Sequence, residues 1–204
     1  MGLGKGEEMR YGALSVQAWV VPGTVVMIAL ALMLSGDSGR DPLRFDRGSI
    51  AAGEFWRLLS GHFVHLGVSH TLLNLAGLVL VWFLVGRAWT WRQWLLLMAA
   101  SVAAIDLGLW LGSPQLEWYV GLSGLLHGML AAGIVAGLAD RNYEALVLAI
   151  VVTGKLAWEQ FAGPLPGSEA TSGGAVIVDA HLYGVIGGAI AAAALVRVRR
   201  RAPL

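Results

Sequence analysis

Six apolar stretches divide this chain, each close to the about 20 residues that a membrane-crossing helix needs. They run from about Gln17 to Leu34, Val68 to Val85, Gln93 to Leu111, Leu122 to Ala139, Tyr143 to Phe161 and Asp179 to Val196. The fourth and sixth are rich in Gly and Ala. The pattern predicts an all-α membrane protein, a six-transmembrane-helix bundle. It forms a single domain over 1–204 with its core at about 17–196, between a short polar N-terminal tail and a basic C-terminal tail. The polar stretch Met1 to Gly12 is no convincing cleaved signal, and the apolar run after it is long enough to stay as a span. Between the first two spans, Ser35 to Gly67 mixes Gly, Asp, Arg and Pro with Phe55, Trp56, Leu58, Leu59 and Phe63, as expected of a structured loop lying in the outer interface. Gly163 to Gly174, before the last span, is rich in Gly, Pro and Ser and reads as a mobile loop.

Composition points the same way. Of the 204 residues, 57% are hydrophobic and 13% charged, and mean hydropathy is +0.69. That leaves too few polar groups to cover a water-facing surface. The 9 Trp suit membrane interfaces, and the 28 Gly suit closely packed membrane helices. Cysteine is absent, which excludes disulfides, thiolate catalysis and Cys-ligated metal. A net charge of +1 with no basic, aromatic-interleaved cluster gives no reason to expect nucleic acid. No cofactor is implied. The His residues show no zinc-protease spacing, so no metal is expected.

With six spans, both termini share a side. That side holds Lys5, Arg10, Arg87, Arg92, Arg141, Arg197, Arg199, Arg200 and Arg201; the other holds Arg40, Arg44, Arg47 and Arg57. Positive charge favours the cytoplasm, so both termini are expected there.

A strongly polar residue inside a span is costly and marks a candidate site. His70 and Asn74 lie one turn apart near the start of span two, Ser123 and His127 open span four, and His181 opens span six. Even-numbered spans all enter from the outer side, so these residues converge at similar depth. Gly124 and Gly128 on span four, and Gly184 and Gly188 on span six, give each of these helices a small-residue stripe for close approach. Ser123 next to a histidine base suits acyl transfer. Asn74, His70 and the Ser123 backbone N–H are candidate oxyanion donors. No intramembrane acid is obviously placed to orient His181, so a Ser–His dyad is expected. Lys155 and Glu159 read as a self-neutralising i, i+4 pair or as a reader of substrate tails, the former favoured. Asp106 in span three is left open between a structural and a functional role. His62 and His65 read as ties for the outer loop.

Gly121-Leu122-Ser123-Gly124, His70-Thr71-Leu72-Leu73-Asn74, Ala180-His181 followed by Gly184 and Gly188, and Trp56-Arg57 near His62 and His65 together resemble the rhomboid intramembrane serine proteases, over about Trp56 to Leu195. The resemblance implies a rhomboid-like bundle with a water-filled cavity open outward, Ser123 as nucleophile and His181 as base. Under it, His70, Asn74 and the Ser123 amide stabilise the oxyanion, and Gly121, Gly124, His127, Gly184 and Gly188 support the site. A transmembrane substrate would enter sideways near spans two and five, capped by the loop before span six. His127 stands where many rhomboids carry an aromatic that packs on the base. The string Trp118 to Gly128 resembles the rhombosortase branch, which implies a bacterial inner-membrane enzyme. Its active site would open to the periplasm, and its partners would be the lipid bilayer and transmembrane or C-terminally tailed protein substrates, the tails carrying a Gly-Gly motif, an apolar span and a basic cluster. Oligomeric state is not legible. Two rivals are a non-catalytic rhomboid-like client-binding protein and a small channel or transporter. Retention of both Ser and His disfavours the first, and the one-sided placement of polar residues the second. Gly36-Asp37-Ser38-Gly39 imitates the nucleophile motif of trypsin-like proteases, but that fold needs many strands and a turn is expected.

Overall fold

The computed structural model describes residues 16–201. The expected polar tail with Lys5 and Arg10, and the last three residues, lie outside the described residues. In chain order the elements are α1 (Val16–Leu34), α2 (Gly36–Arg40), β1 (Phe45–Asp46), α3 (Arg47–Ala51), α4 (Arg57–Ser60), α5 (Val68–Val85), α6 (Trp91–Gly112), β2 (Trp118–Tyr119), α7 (Ser123–Ala139), α8 (Tyr143–Ala162), α9 (Ser168–Ser172) and α10 (Val178–Arg201). By length and composition four of them, α5, α6, α8 and α10, can cross a membrane. Trp19–Leu34 and Ser123–Ala139 are apolar but shorter.

Local signals start and stop these helices where the chain needs them. Thr90 and Gln93 form a reciprocal capping box at the start of α6. The Asn142 side chain accepts from Glu144 N at 2.7 Å and opens α8. Helix α10 outlasts its apolar run, continuing through Val196 to Arg201. Cations there favour a helix C-terminus, and Arg199 pairs with Asp140 at 2.7 Å while Arg200 donates to the Ala139 carbonyl at 2.6 Å.

Helix α7 sits in the middle, packed against α5, α6, α8 and α10. Its composition follows from that position. Gly124, Leu125, Leu126, Gly128, Met129, Ala131, Ala132, Gly133, Ile134 and Ala136 are all buried. The outer helices show the opposite pattern: Leu80, Phe83, Leu96, Ile150, Phe161 and Ile190 are exposed. An apolar exterior of this extent matches lipid as the surrounding solvent.

The closest packing joins α7 to α10. A Cβ on Gly124 would lie 2.8 Å from the Ala180 carbonyl oxygen, and one on Gly128 would lie 2.8 Å from that of Gly184. A Cβ on Gly184 or Gly188 would run into the carbonyl oxygens of Gly124 or Gly128. The two backbones therefore touch along two turns, which only glycine permits.

The segment between α1 and α5 is structured, as expected, and two arginines hold it. Arg47 donates to the carbonyls of Leu109 (2.6 Å), Trp110 (3.1 Å), Ser113 (3.1 Å) and Leu116 (3.0 Å), which satisfies the C-terminal end of α6, and it stacks over the Trp110 ring. Arg57 is buried and donates to Asp41 O, Arg44 O and Glu54 Oε2. The loop also forms one element that the all-helical expectation lacked: β1 pairs antiparallel with β2, Phe45 against Tyr119 and Asp46 against Trp118. Gly36–Arg40, the stretch holding the protease-like Gly-Asp-Ser-Gly, is a short helix with no buried residue. In the loop before the last span, α9 forms between Gly167 and Gly173, both with positive φ. The Ser69 hydroxyl donates to the Thr171 carbonyl and ties α9 to α5.

These contacts set a stability test. Gly184→Val should cost on the order of 1–3 kcal/mol or more through overpacking. Gly154→Ala on α8, where nothing lies within 4 Å of the new methyl, should be neutral. Thermal unfolding of the detergent-solubilised protein measures both.

Candidate active site

Ser123 is the first residue of α7, and the turn before it is tied on both sides. Gly121 N donates to Gly61 O at 3.1 Å, and the buried Tyr119 hydroxyl donates to Gly121 O at 2.6 Å. Gly121 has φ 123°, a conformation open to glycine, and a Cβ there would meet the His70 ring at 3.0 Å. As the opening residue of a helix, Ser123 offers a backbone N–H with no intrahelical acceptor.

His181 lies in the first turn of α10 and is 4% exposed. Its Nε2 is 2.9 Å from Ser123 Oγ. The backbone contact of α7 with α10 makes this reach possible. His127, one turn after Ser123, stacks on His181 with ring centroids 4.2 Å apart and planes at 20°. Its Nδ1 is 2.7 Å from the Ser123 carbonyl. A carbonyl only accepts, so His127 is protonated on Nδ1.

His70 and Asn74 face the same cavity from α5. Leu66 N donates to His70 Nδ1 at 3.3 Å, which leaves the ring proton of neutral His70 on Nε2 as a free donor. Asn74 Nδ2 donates one proton to His70 O at 3.0 Å and keeps a second. The cavity measures about 570 Å³ and is mostly apolar. Its walls come from α5, α7, α8, α10 and the chain around α9.

The structure thus brings Ser123, His181, His127, His70 and Asn74 to one cavity, while Gly124, Gly184 and Gly188 lie in the helix contact behind it. It also corrects one expectation. An acid does reach His181: Glu159, on α8, has its carboxylate oxygens 3.0 and 3.1 Å from His181 Nδ1. Lys155 Nζ lies 2.6 Å from Glu159 Oε1. The signal was in the sequence. Glu159 lies near the C-terminal end of α8 and His181 near the N-terminal end of α10, so an antiparallel return of the chain puts the two at the same level. Its i, i+4 lysine gave a sufficient local partner and hid the longer-range one.

His62 and His65 lie beside this site. His62 Nε2 is 3.2 Å from Asp106 Oδ1, and its ring meets Tyr119 edge-on. So Asp106 and His62 join α6 to the segment between α1 and α5. His65 stands edge-on to His70. Burial first, and the neighbouring His70 second, hold His65 down to about 3, so it stays neutral at working pH.

Ligand-type atoms of His127, Glu159 and His181 lie within 4.8 Å of one another, a cluster the sequence spacing did not reveal. The two rings are stacked nearly parallel, so their in-plane lone pairs do not converge on one ion. The Lys155 ammonium already occupies Glu159. The donor set does not fit a metal.

Residues 52–198 match the Rhomboid domain family, and the chain belongs to that family. Among its relatives is the rhomboid protease GluP of Bacillus subtilis, 29% identical over 146 residues, which cover 72% of this chain and 27% of GluP. Uncharacterized proteins of Mycobacterium tuberculosis and Mycobacterium bovis are each 29% identical over 205 residues, covering 90% of this chain and 79% of theirs. Rhomboid proteins are generally intramembrane serine proteases, and the family match with the GluP similarity supports protease activity here.

The tie at Gly121 gives a test. Tyr119→Phe leaves a buried carbonyl without its donor, which should cost about 1–3 kcal/mol. It should also slow reaction of Ser123 with a serine probe. Thermal unfolding and labelling rate report the two effects.

Proposed function

We propose that this protein is an intramembrane serine endopeptidase in which Ser123 attacks the peptide carbonyl and His181 takes its proton. The 2.9 Å contact of His181 Nε2 with Ser123 Oγ, inside a cavity walled by apolar helices, carries the proposal. The proton passes from Oγ to Nε2 as the Oγ–carbon bond forms. The developing oxyanion is received by the Ser123 N–H, the free proton of Asn74 Nδ2 and His70 Nε2. His181 then gives its proton to the leaving amine, and water attacks the acyl-enzyme by the same route.

The membrane setting in this proposal has six spans, with α1 and α7 joining α5, α6, α8 and α10. Both termini are cytoplasmic and the cavity opens to the periplasm of a bacterial inner membrane. At 1.5 Å per residue α7 is about 25 Å long, against a hydrocarbon core of about 30 Å. With the α7 C-terminal end at the inner surface, Ser123 begins below the outer one. That depth suits cleavage of a substrate span near its outer end.

The substrate class in this reading is a C-terminal sorting tail of the Gly-Gly type, as in the rhombosortase branch. His127 and the Trp118 to Gly128 string support it. A reporter ending in a Gly-Gly segment, an apolar span and an Arg cluster tests it by co-expression. Wild type should process the reporter and Ser123→Ala should not. Processing by Ser123→Ala would remove Ser123 as the nucleophile. Failure of wild type on this reporter, with cleavage of another transmembrane substrate, would remove the sorting-tail assignment alone.

A further inference from the structure

Glu159 has no part in the reaction as proposed above, yet it is 3% exposed on a helix whose other buried residues are the apolar Ala145, Val152 and Leu156. A buried carboxylate is strongly disfavoured unless it is paired and hydrogen-bonded. Glu159 has two partners, Lys155 Nζ at 2.6 Å and His181 Nδ1 at 3.0 and 3.1 Å. His181 meets Ser123 through its other ring nitrogen. The three side chains form one file from carboxylate to imidazole to hydroxyl, drawn from α8, α10 and α7.

The tautomer of His181 decides whether it can be a base. Neutral imidazole carries one N–H. With the proton on Nε2, the ring donates to Ser123 and cannot accept from it. Two groups compete for Nδ1. Lys155 Nζ, 3.4 Å away, is a donor and would keep a lone pair on Nδ1, which puts the proton on Nε2. Glu159 is an acceptor and requires the proton on Nδ1. Glu159 is nearer, presents both oxygens and makes the charge-assisted bond. Lys155 is meanwhile engaged at Oε1.

We infer that Glu159 is a positioning residue: its carboxylate holds the His181 proton on Nδ1, leaves Nε2 free to accept from Ser123, and stabilises the imidazolium that forms. The inference rests on the Ser123–His181 reading. It replaces the expected dyad with a chain of three, and it gives Lys155 the task of balancing the buried carboxylate. A self-contained Lys155–Glu159 ion pair would not need both oxygens within hydrogen-bond distance of a histidine on another helix.

The test is fluorophosphonate labelling of the full-length protein in detergent, with kinact and KI measured separately and a thermal melt on each sample. Glu159→Gln should lower kinact roughly 10²–10⁴-fold with KI within about twofold. Glu159→Asp, which keeps the acceptor charge, should recover at least about tenfold of that loss. The double variant Lys155→Met/Glu159→Gln removes the stranded lysine charge and guards against misfolding. It should melt near wild type and still label slowly. Equal rates for Gln and Asp, or wild-type kinact in the double variant, would reduce Glu159 to a structural partner. Ser123→Ala, run alongside, separates the two ideas. Loss of labelling there with full labelling in Glu159→Gln overturns this inference alone. Persistent labelling in Ser123→Ala overturns the nucleophile assignment beneath it.

Discussion

The backbone contact between α7 and α10 is the constraint on which the site depends. In a bilayer, helices gain no hydrophobic driving force from meeting each other, so shape and close packing decide which pairs associate. Ordinary helix pairs sit 8–10 Å apart, as their side chains dictate. Gly124, Gly128, Gly184 and Gly188 remove those side chains on both faces. A serine side chain is short, and only this approach puts Ser123 Oγ within hydrogen-bond distance of His181 Nε2. The same residues thus serve packing and chemistry together.

Around that pair, other elements contribute one function each. Helix α5 brings His70 and Asn74, with the His70 proton directed to Nε2 by a backbone donor at Nδ1. Helix α8 brings Glu159 and Lys155 to the far side of His181. The segment between α1 and α5 does not line the cavity. It fixes the turn before Ser123 through Gly61 and Tyr119, and Arg47 and Arg57 hold the loop itself by donating to main-chain carbonyls.

Much of this was legible before the structure because a span has a fixed length and an alternating direction. The bounds of α5 fall at Val68 and Val85, as the apolar run predicts. The convergence of His70, Asn74, Ser123 and His181 on one cavity is what the parity of six spans predicts. The legible part fades where the signal is short or ambiguous. A two-residue strand pair has no periodicity to detect. Helix α10 continues past its apolar run because arginines lower hydropathy without breaking a helix. The five-residue α9 sits inside a Gly-rich stretch whose glycines bound it with positive φ. Glu159 was hidden by its lysine: a satisfied i, i+4 pair gives no reason to look for a third partner on another helix.

The central claim is that Ser123 is made reactive by His181 across the α7–α10 contact. Mass-spectrometric mapping of a fluorophosphonate adduct on the detergent-solubilised protein, in wild type and in His181→Ala, tests it most directly. The account predicts an adduct on Ser123 in wild type that is lost in His181→Ala. An adduct on a different serine, or one on Ser123 that forms equally well without His181, would contradict it.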